Sequence, residues 1–283
     1  MHPSEKLSIP TTSVRPEQHL VAMENFEVNL DRGVLWCARR AEACSSVTLE
    51  QLHEQQALDE LLVRGALPVK WKVLASEQPK VFCLGGDLEL FLDCIATQDH
   101  GRLLDYGLRA AHCIWLNASG FGPRRLGSIA LVEGEAQGGG FEVALSCHWI
   151  VAAKTANFGF PESLFGVSPG MGAEPLLAAR VGTELAGRMI SSANRYSAEF
   201  LHEIGVVDLL VDPGCSDAAI QEIIAGSAVP SSPGSIDRVR DVTYQHLVSG
   251  IEKWVDAMLG VSLRHQRSMR YLLETQRRRA LRG

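Results

Sequence analysis

The chain has 283 residues, 46% hydrophobic and 21% charged, with 27 basic and 33 acidic side chains and a net charge of −6. That suits one large globular domain, or one domain with a helical appendage, and it argues against nucleic acid as the principal partner. Seven cysteines (Cys37, Cys44, Cys83, Cys94, Cys113, Cys147 and Cys215) form no C-x-x-C pair and lie mostly in apolar runs, which reads as free thiols in a reducing compartment.

Residues 1–24 are polar, contain Pro3, Pro10 and Pro16, and lack a basic segment followed by an apolar one. No secretory leader is expected, and the segment is expected to be loosely ordered. No apolar run approaches the roughly 18 residues of a membrane span, so a cytoplasmic location is expected. Gly33–Arg39 and Val69–Leu74 read as strands, with helical periodicity between them in Leu49–Leu62. Leu88–Leu116 reads as a long helix. Ile129–Ala136 and Trp149–Ala152 read as buried strands, nearly continuous in apolar residues. Glu142–Cys147 and Ala173–Arg180 read as helices. This alternation predicts an α/β architecture. The character changes near residue 197: a short helix at Ser197–Ile204, a strand at Val206–Val211, and a polar helix from Ser216. Pro230–Gly234 reads as a turn or linker, and amphipathic helix follows to the end. A core over 25–196 and a helical C-terminal part over 197–283 are expected.

The most informative stretch runs from Ser128 to Ala173. An apolar strand enters Gly138-Gly139-Gly140, then Phe141-Glu142 opens a helix. Glycines at a strand-to-helix junction allow close approach of a ligand and leave helix N-terminal N–H groups without partners. A second such junction lies upstream, in Val81-Phe82-Cys83-Leu84-Gly85-Gly86-Asp87-Leu88. Two turns of this kind could give two N–H groups to one carbonyl oxygen, the requirement of an oxyanion hole. Taken singly, each also reads as a plain tight turn. Glu142 sits in the apolar run Gly140–Leu145, where capping of the helix is the simple alternative. Glu162 follows Pro161 in a loop after a strand. Two carboxylates around one substrate would have separated pKa values and would suit the addition or loss of water.

Gly85-Gly86-Asp87, Gly138-Gly139-Gly140-Phe141-Glu142 and Pro161-Glu162 resemble the motifs of the enoyl-CoA hydratase/crotonase superfamily. The resemblance implies a spiral of ββα units with a C-terminal helical part. It also implies catalytic roles for Glu142 and Glu162, and a thioester carbonyl held by the Gly86 and Gly139 amides. Segments 84–91, 103–106, 138–148, 169–173, 196–201 and 253–258 resemble one branch more closely, the bacterial diffusible signal factor synthases. That likeness implies dehydration of a 3-hydroxyacyl chain on acyl carrier protein to a cis-2-enoyl chain. It also implies release of the fatty acid by thioester hydrolysis, for quorum sensing. The substrate would be carried on acyl carrier protein phosphopantetheine or on CoA, with no further cofactor. A hydratase or isomerase acting on ordinary acyl-CoA esters is the second reading, and a weakly catalytic scaffold that binds a partner protein the third. Glu135 and Gln137 depart from the branch pattern, and Gln137 adjoins the oxyanion turn. With Gly85, Leu164, Phe165, Met171 and Trp254, it is expected to line the substrate site. A homotrimer or hexamer is expected.

Gly166-Val167-Ser168-Pro169-Gly170 has the spacing of a nucleophile elbow. Pro169 has no N–H to offer an oxyanion, so Ser168 reads as a turn residue. The histidines lack ligand spacing, so no metal is expected. His148 reads as structural, and Gly138–Gly140 lacks the spacing of a dinucleotide fingerprint. From Arg264 to Arg282 there are seven arginines against one acid, Glu274. This basic end suits an acidic carrier protein or the phosphates of CoA, or acids of a neighbouring subunit.

Overall fold

A computed structural model describes residues 23–212, 215–226 and 235–280; the expectations for residues 1–22 and the Pro230–Gly234 linker lie outside them. Strands β1 (Phe26–Asp31) and β2 (Val34–Arg39) form a hairpin through Arg32 and Gly33, both at positive φ (47° and 81°). Two left-handed residues match the twist of the paired strands. Helix α1 (Leu49–Val63), capped by the Thr48 hydroxyl on Gln51 N–H, leads to β3 (Trp71–Ser76), which lies parallel to β2.

From β3 the chain spirals, each turn giving one strand to each of two sheets before its helices. The first turn is β3, β4 (Val81–Cys83), α2 (Leu88–Thr97) and α3 (His100–Ser119). The second is β5 (Gly127–Val132), β6 (Glu135–Gln137) and α4 (Gly139–Ser146). The third is β7 (Trp149–Ala153), β8 (Asn157–Gly159), a 3₁₀ turn at Pro161–Phe165, α5 (Ala173–Val181) and α6 (Thr183–Ser191). Then follow β9 (Arg195–Ser197), α7 (Ala198–Glu203), β10 (Leu209–Val211), α8 (Ser216–Ile224) and α9 (Ser235–Arg240). Helices α10 (Tyr244–Val248), α11 (Ile251–Leu259) and α12 (Leu263–Ala280) complete the described chain. The large sheet has the order β1-β2-β3-β5-β7-β10 and the small one β4-β6-β8-β9. This is the expected α/β spiral of ββα units.

Three expectations are corrected in detail. The long helix over 88–116 is two helices: Gln98 turns left-handed (φ 55°) and Asp99 caps α3 through the Arg102 N–H. The strand over 129–136 is also two. At Gly134 the chain leaves the large sheet for the small one, passing so close to β4 that a Cβ would lie 2.0 Å from the Lys80 carbonyl carbon. The large sheet also takes β10 from beyond residue 197, so its hydrogen bonding crosses the expected boundary.

The large sheet is buried on both faces. Val34, Trp36, Val73, Ile129 and Val151 pack under Ile220 and Ile223 of α8. Leu35, Cys37, Leu74, Ala130 and Val132 face the main core with α1, α3 and α4. The C-terminal helices cover their own chain. Ile251 and Trp254 of α11 lie where a side chain on Gly107 of α3 would be, and α12 packs on α2 and the 3₁₀ turn. Five cysteines are buried and two, Cys44 and Cys215, exposed; all seven are free thiols.

Candidate functional site

Strands β4, β6 and β8 run parallel and adjacent in the small sheet, so their carboxyl ends emerge side by side. Each end delivers one part of the site: Gly85-Gly86 after β4, Gly138-Gly139 and Glu142 after β6, and Pro161-Glu162 after β8. Crevices at the carboxyl ends of parallel strands are the usual ligand sites of such sheets.

The two glycine turns meet. Gly85 has φ +96°, and a Cβ on it would lie 2.9 Å from the Gln137 carbonyl oxygen. A Cβ on Gly139 would lie 3.5 Å from the Gly86 amide nitrogen. Gly138 (φ +53°) precedes α4, and its own N–H donates to the Gly159 carbonyl at 2.8 Å, tying the ends of β6 and β8 together. Gly139 is the first residue of α4, so its N–H has no partner within the helix. Among the described residues neither the Gly86 nor the Gly139 N–H has a backbone acceptor.

Glu142 lies on the first turn of α4 and is 1% exposed. Its Oε1 accepts from Met171 N–H and Ala173 N–H, both at 2.9 Å. Burial pushes its carboxyl up to about 7, while the Ala173, Met171 and Gly172 amides hold it back. Glu162, from the 3₁₀ turn, reaches back so closely that a Cβ on Gly138 would lie 2.2 Å from its Oε1. Its Oε2 is buried without a hydrogen-bond partner among the described residues. Burial, and then the Glu142 charge, push Glu162 up to about 8. Both side chains line one cleft together with Gly85, Gly86, Gly138 and Gly139. The cleft encloses about 1200 Å³, open mouth included. At neutral pH such a pair shares about one proton, with one member able to give it and the other to take one.

Of the residues expected to bind substrate, Gly85, Phe165, Met171 and Trp254 line this cleft. Gln137 and Leu164 are corrections, since neither lines it. Strand alternation turns Gln137 to the outer side of β6, where its amide donates to Asn157 Oδ1 at 3.2 Å. Glu135, on the same side of the strand, pairs with Arg195 at 2.6 Å. Leu164 points outward from the 3₁₀ turn and is 58% exposed, while its neighbour Phe165 turns in. Sequence reading missed Val47, Phe91, Tyr106 and Met258, all lining residues. Apolar periodicity marks such positions as core and does not separate cavity wall from packed interior.

The basic end divides. Arg277 reaches α2 and pairs with Glu89, and Arg278 pairs with Glu274 within α12. The side chain of Arg279 and all of Arg282 lie outside the described parts. Arg264, Arg267 and Arg270 form an exposed stripe on α12. No described helix is long and apolar enough to cross a membrane.

Fold and motifs are those of the crotonase class. A family model for enoyl-CoA hydratase/isomerase matches residues 40–214, and the chain belongs to that family. Mevalonyl-coenzyme A hydratase SIDH of Beauveria bassiana is 37% identical over 164 residues, covering 56% of each chain. The peroxisomal fatty acid beta-oxidation multifunctional protein AIM1 of Arabidopsis thaliana is 45% identical over 86 residues, 30% of this chain. The chain thus spans only 12% of AIM1 and 56% of SIDH. Among solved structures, Pseudomonas aeruginosa DspI superposes with a TM-score of 0.66 at 27% identity, covering 79% of this chain and 82% of that one.

Proposed function

We propose that the protein is an acyl-thioester dehydratase that removes water from a 3-hydroxyacyl chain. The observation that carries this reading is the meeting of two amides without an acceptor among the described residues and two proton-sharing carboxyls in one apolar cleft. The Gly86 and Gly139 N–H groups would hold the thioester oxygen as negative charge develops on it, and loss of one such donor costs about 3 kcal/mol. That charge acidifies the Cα–H bond. Glu162 adjoins the Gly138-Gly139 turn, and hence the thioester; with the shared proton on Glu142, it takes the Cα proton. Glu142, pinned by two amides, gives its proton to the departing 3-hydroxyl, and water leaves. Transfer of the proton from Glu162 to Glu142 restores the pair.

The finer reading is a diffusible signal factor synthase, which forms a cis-2-enoyl chain on acyl carrier protein and hydrolyses the thioester to release the acid as a quorum-sensing signal. It rests on the segment resemblances, of which Met171 and Trp254 fall in the apolar wall of the cleft. The exposed Arg264, Arg267 and Arg270 would attract an acidic carrier protein. Mass spectrometry after incubation with a 3-hydroxyacyl chain on carrier protein, and separately on CoA, tests it. A free cis-2-enoic acid from the carrier-bound substrate is expected. Only reversible hydration of trans-2-enoyl-CoA would place the protein among ordinary hydratases, the second reading.

A further inference from the structure

Tyr106 of α3 is 1% exposed, and its hydroxyl donates to the Val47 carbonyl at 2.8 Å. Burial holds this phenol well above its ordinary pKa, so it remains a donor. Val47 belongs to neither sheet. It makes one isolated parallel bridge, to Gly86. Around that bridge the Val47 N–H donates to the Gly85 carbonyl at 2.8 Å and the Leu84 N–H to the Ser45 carbonyl at 2.9 Å. Segment 45–47 is therefore a strap laid along the turn that presents the Gly86 N–H.

The strap is held from both ends. Arg39 Nη1 donates to the Cys44 carbonyl at 2.8 Å and the Ser46 carbonyl at 3.3 Å, and also to Gln51 Oε1. Tyr106 holds the other end. Gly86 itself is enclosed by the same side chains. A Cβ there would lie 2.7 Å from the Phe91 ring and 3.3 Å from Tyr106 Oη, and the two rings meet edge to face at 5.0 Å. A phenylalanine would supply that packing equally well. The hydroxyl adds the tie to Val47, and an isolated bridge backed by a pair of backbone bonds rather than a full ladder depends on such ties for its orientation.

From this we infer that Tyr106 is a positioning residue for the oxyanion hole, acting through Val47 on the direction of the Gly86 N–H. The inference deepens the proposed reaction and rests on its thioester being held by Gly86 and Gly139. The test is the carbonyl stretch of a bound, unreactive saturated acyl thioester, isotope-edited in the infrared, in the wild type and in Tyr106→Phe, alongside kinetics. In the wild type the band should move to lower frequency on binding. In Tyr106→Phe it should return part of the way to the free value, since the Gly139 donor remains, with kcat down on the order of 10-fold, less than the 10²–10³ of losing a donor outright. KM should stay within about twofold, since the acyl-chain contacts and the Gly139 donor remain in the ground state. Should that variant not fold, Arg39→Lys loosens the same strap from its other end and should show the same band return at smaller amplitude. A full wild-type band shift in the folded variant overturns the inference while leaving the oxyanion hole standing, even if the rate falls. Absence of any shift in the wild type overturns the oxyanion hole itself, and the inference with it.

Discussion

Two buried carboxyl sites, Asp59 on α1 and the Glu142–Glu162 pair, solve the same problem in opposite ways. Asp59 is fully buried and meets Lys72 Nζ at 2.6 Å, with Gln55 Nε2 donating at 2.9 Å. Lys72 in turn donates to Asn117 Oδ1 at 3.2 Å and lies 5.0 Å above the Phe121 ring. Charge is neutralised where it stands. Glu142 and Glu162 have no cation within ion-pair reach among the described residues, only amides and each other. The contrast separates a carboxyl that holds the fold together from carboxyls kept ready to exchange a proton.

The largest effect should come from breaking the paired site. Lys72→Met leaves Asp59 buried without its cation and should destabilise the protein by about 3–5 kcal/mol, read by denaturant titration. Activity per folded molecule should change little. A variant with unchanged midpoint would mean that Asp59 simply holds a proton.

Next comes the unpaired site. Glu142→Gln and Glu162→Gln should each lower the dehydration rate by roughly 100-fold or more, the scale of general acid–base catalysis, with the fold intact by circular dichroism. Exchange of the substrate Cα–H with D₂O should disappear in Glu162→Gln and persist in Glu142→Gln. The opposite pattern would exchange the two roles.

The unpaired site should also make stability depend on pH. Folded values of about 7 and 8 lie above the ordinary 4.5 of glutamate. Between these limits the folded state keeps protons that the unfolded chain has released, so stability is highest below about pH 5 and falls as pH rises through 7 and 8. Glu162→Gln should flatten the upper part of that fall in melting temperature measured from pH 5 to 9. A slope identical to wild type would contradict the raised value.

The smallest effect concerns charge in open water. Replacing Arg264, Arg267 and Arg270 with alanine should raise KM for carrier-bound substrate a few-fold at low salt, with kcat and the melting midpoint nearly unchanged. If the variant instead alters mass by light scattering while KM holds, the stripe belongs to an interface between copies.

What was legible in the sequence was whatever local chemistry leaves a mark. Gly85-Gly86, Gly138–Gly140 and a glutamate in an apolar run stand out because glycine and buried charge are costly without a reason. Strands β8 and β9 did not stand out: three residues hold no period, and Arg195–Ser197 is largely exposed. Strand β1, half-buried at a sheet edge, does carry the mark, since Phe26, Val28 and Leu30 alternate with Glu27, Asn29 and Asp31; only its brevity beside a polar N-terminal segment hides it. Gln137 was misread because adjacency in the chain says nothing about the side of a strand to which a side chain turns. Tyr106 was invisible as a strap-holder because its partner is a carbonyl far back in the sequence.

One feature of the small sheet bears on how the protein is made. Its three working strands come from three successive turns of the spiral, so a growing chain acquires Gly86, then Gly139 and Glu142, then Glu162, and Trp254 only near the end. A chain with fewer than three turns has only part of the cleft wall and no second carboxyl. The two acids can therefore be brought together only after β2, β3, β5 and β7 are available to the large sheet. The pair of acids is thus complete in the chain by the third turn, while β10 and the helices that enclose them are still to come.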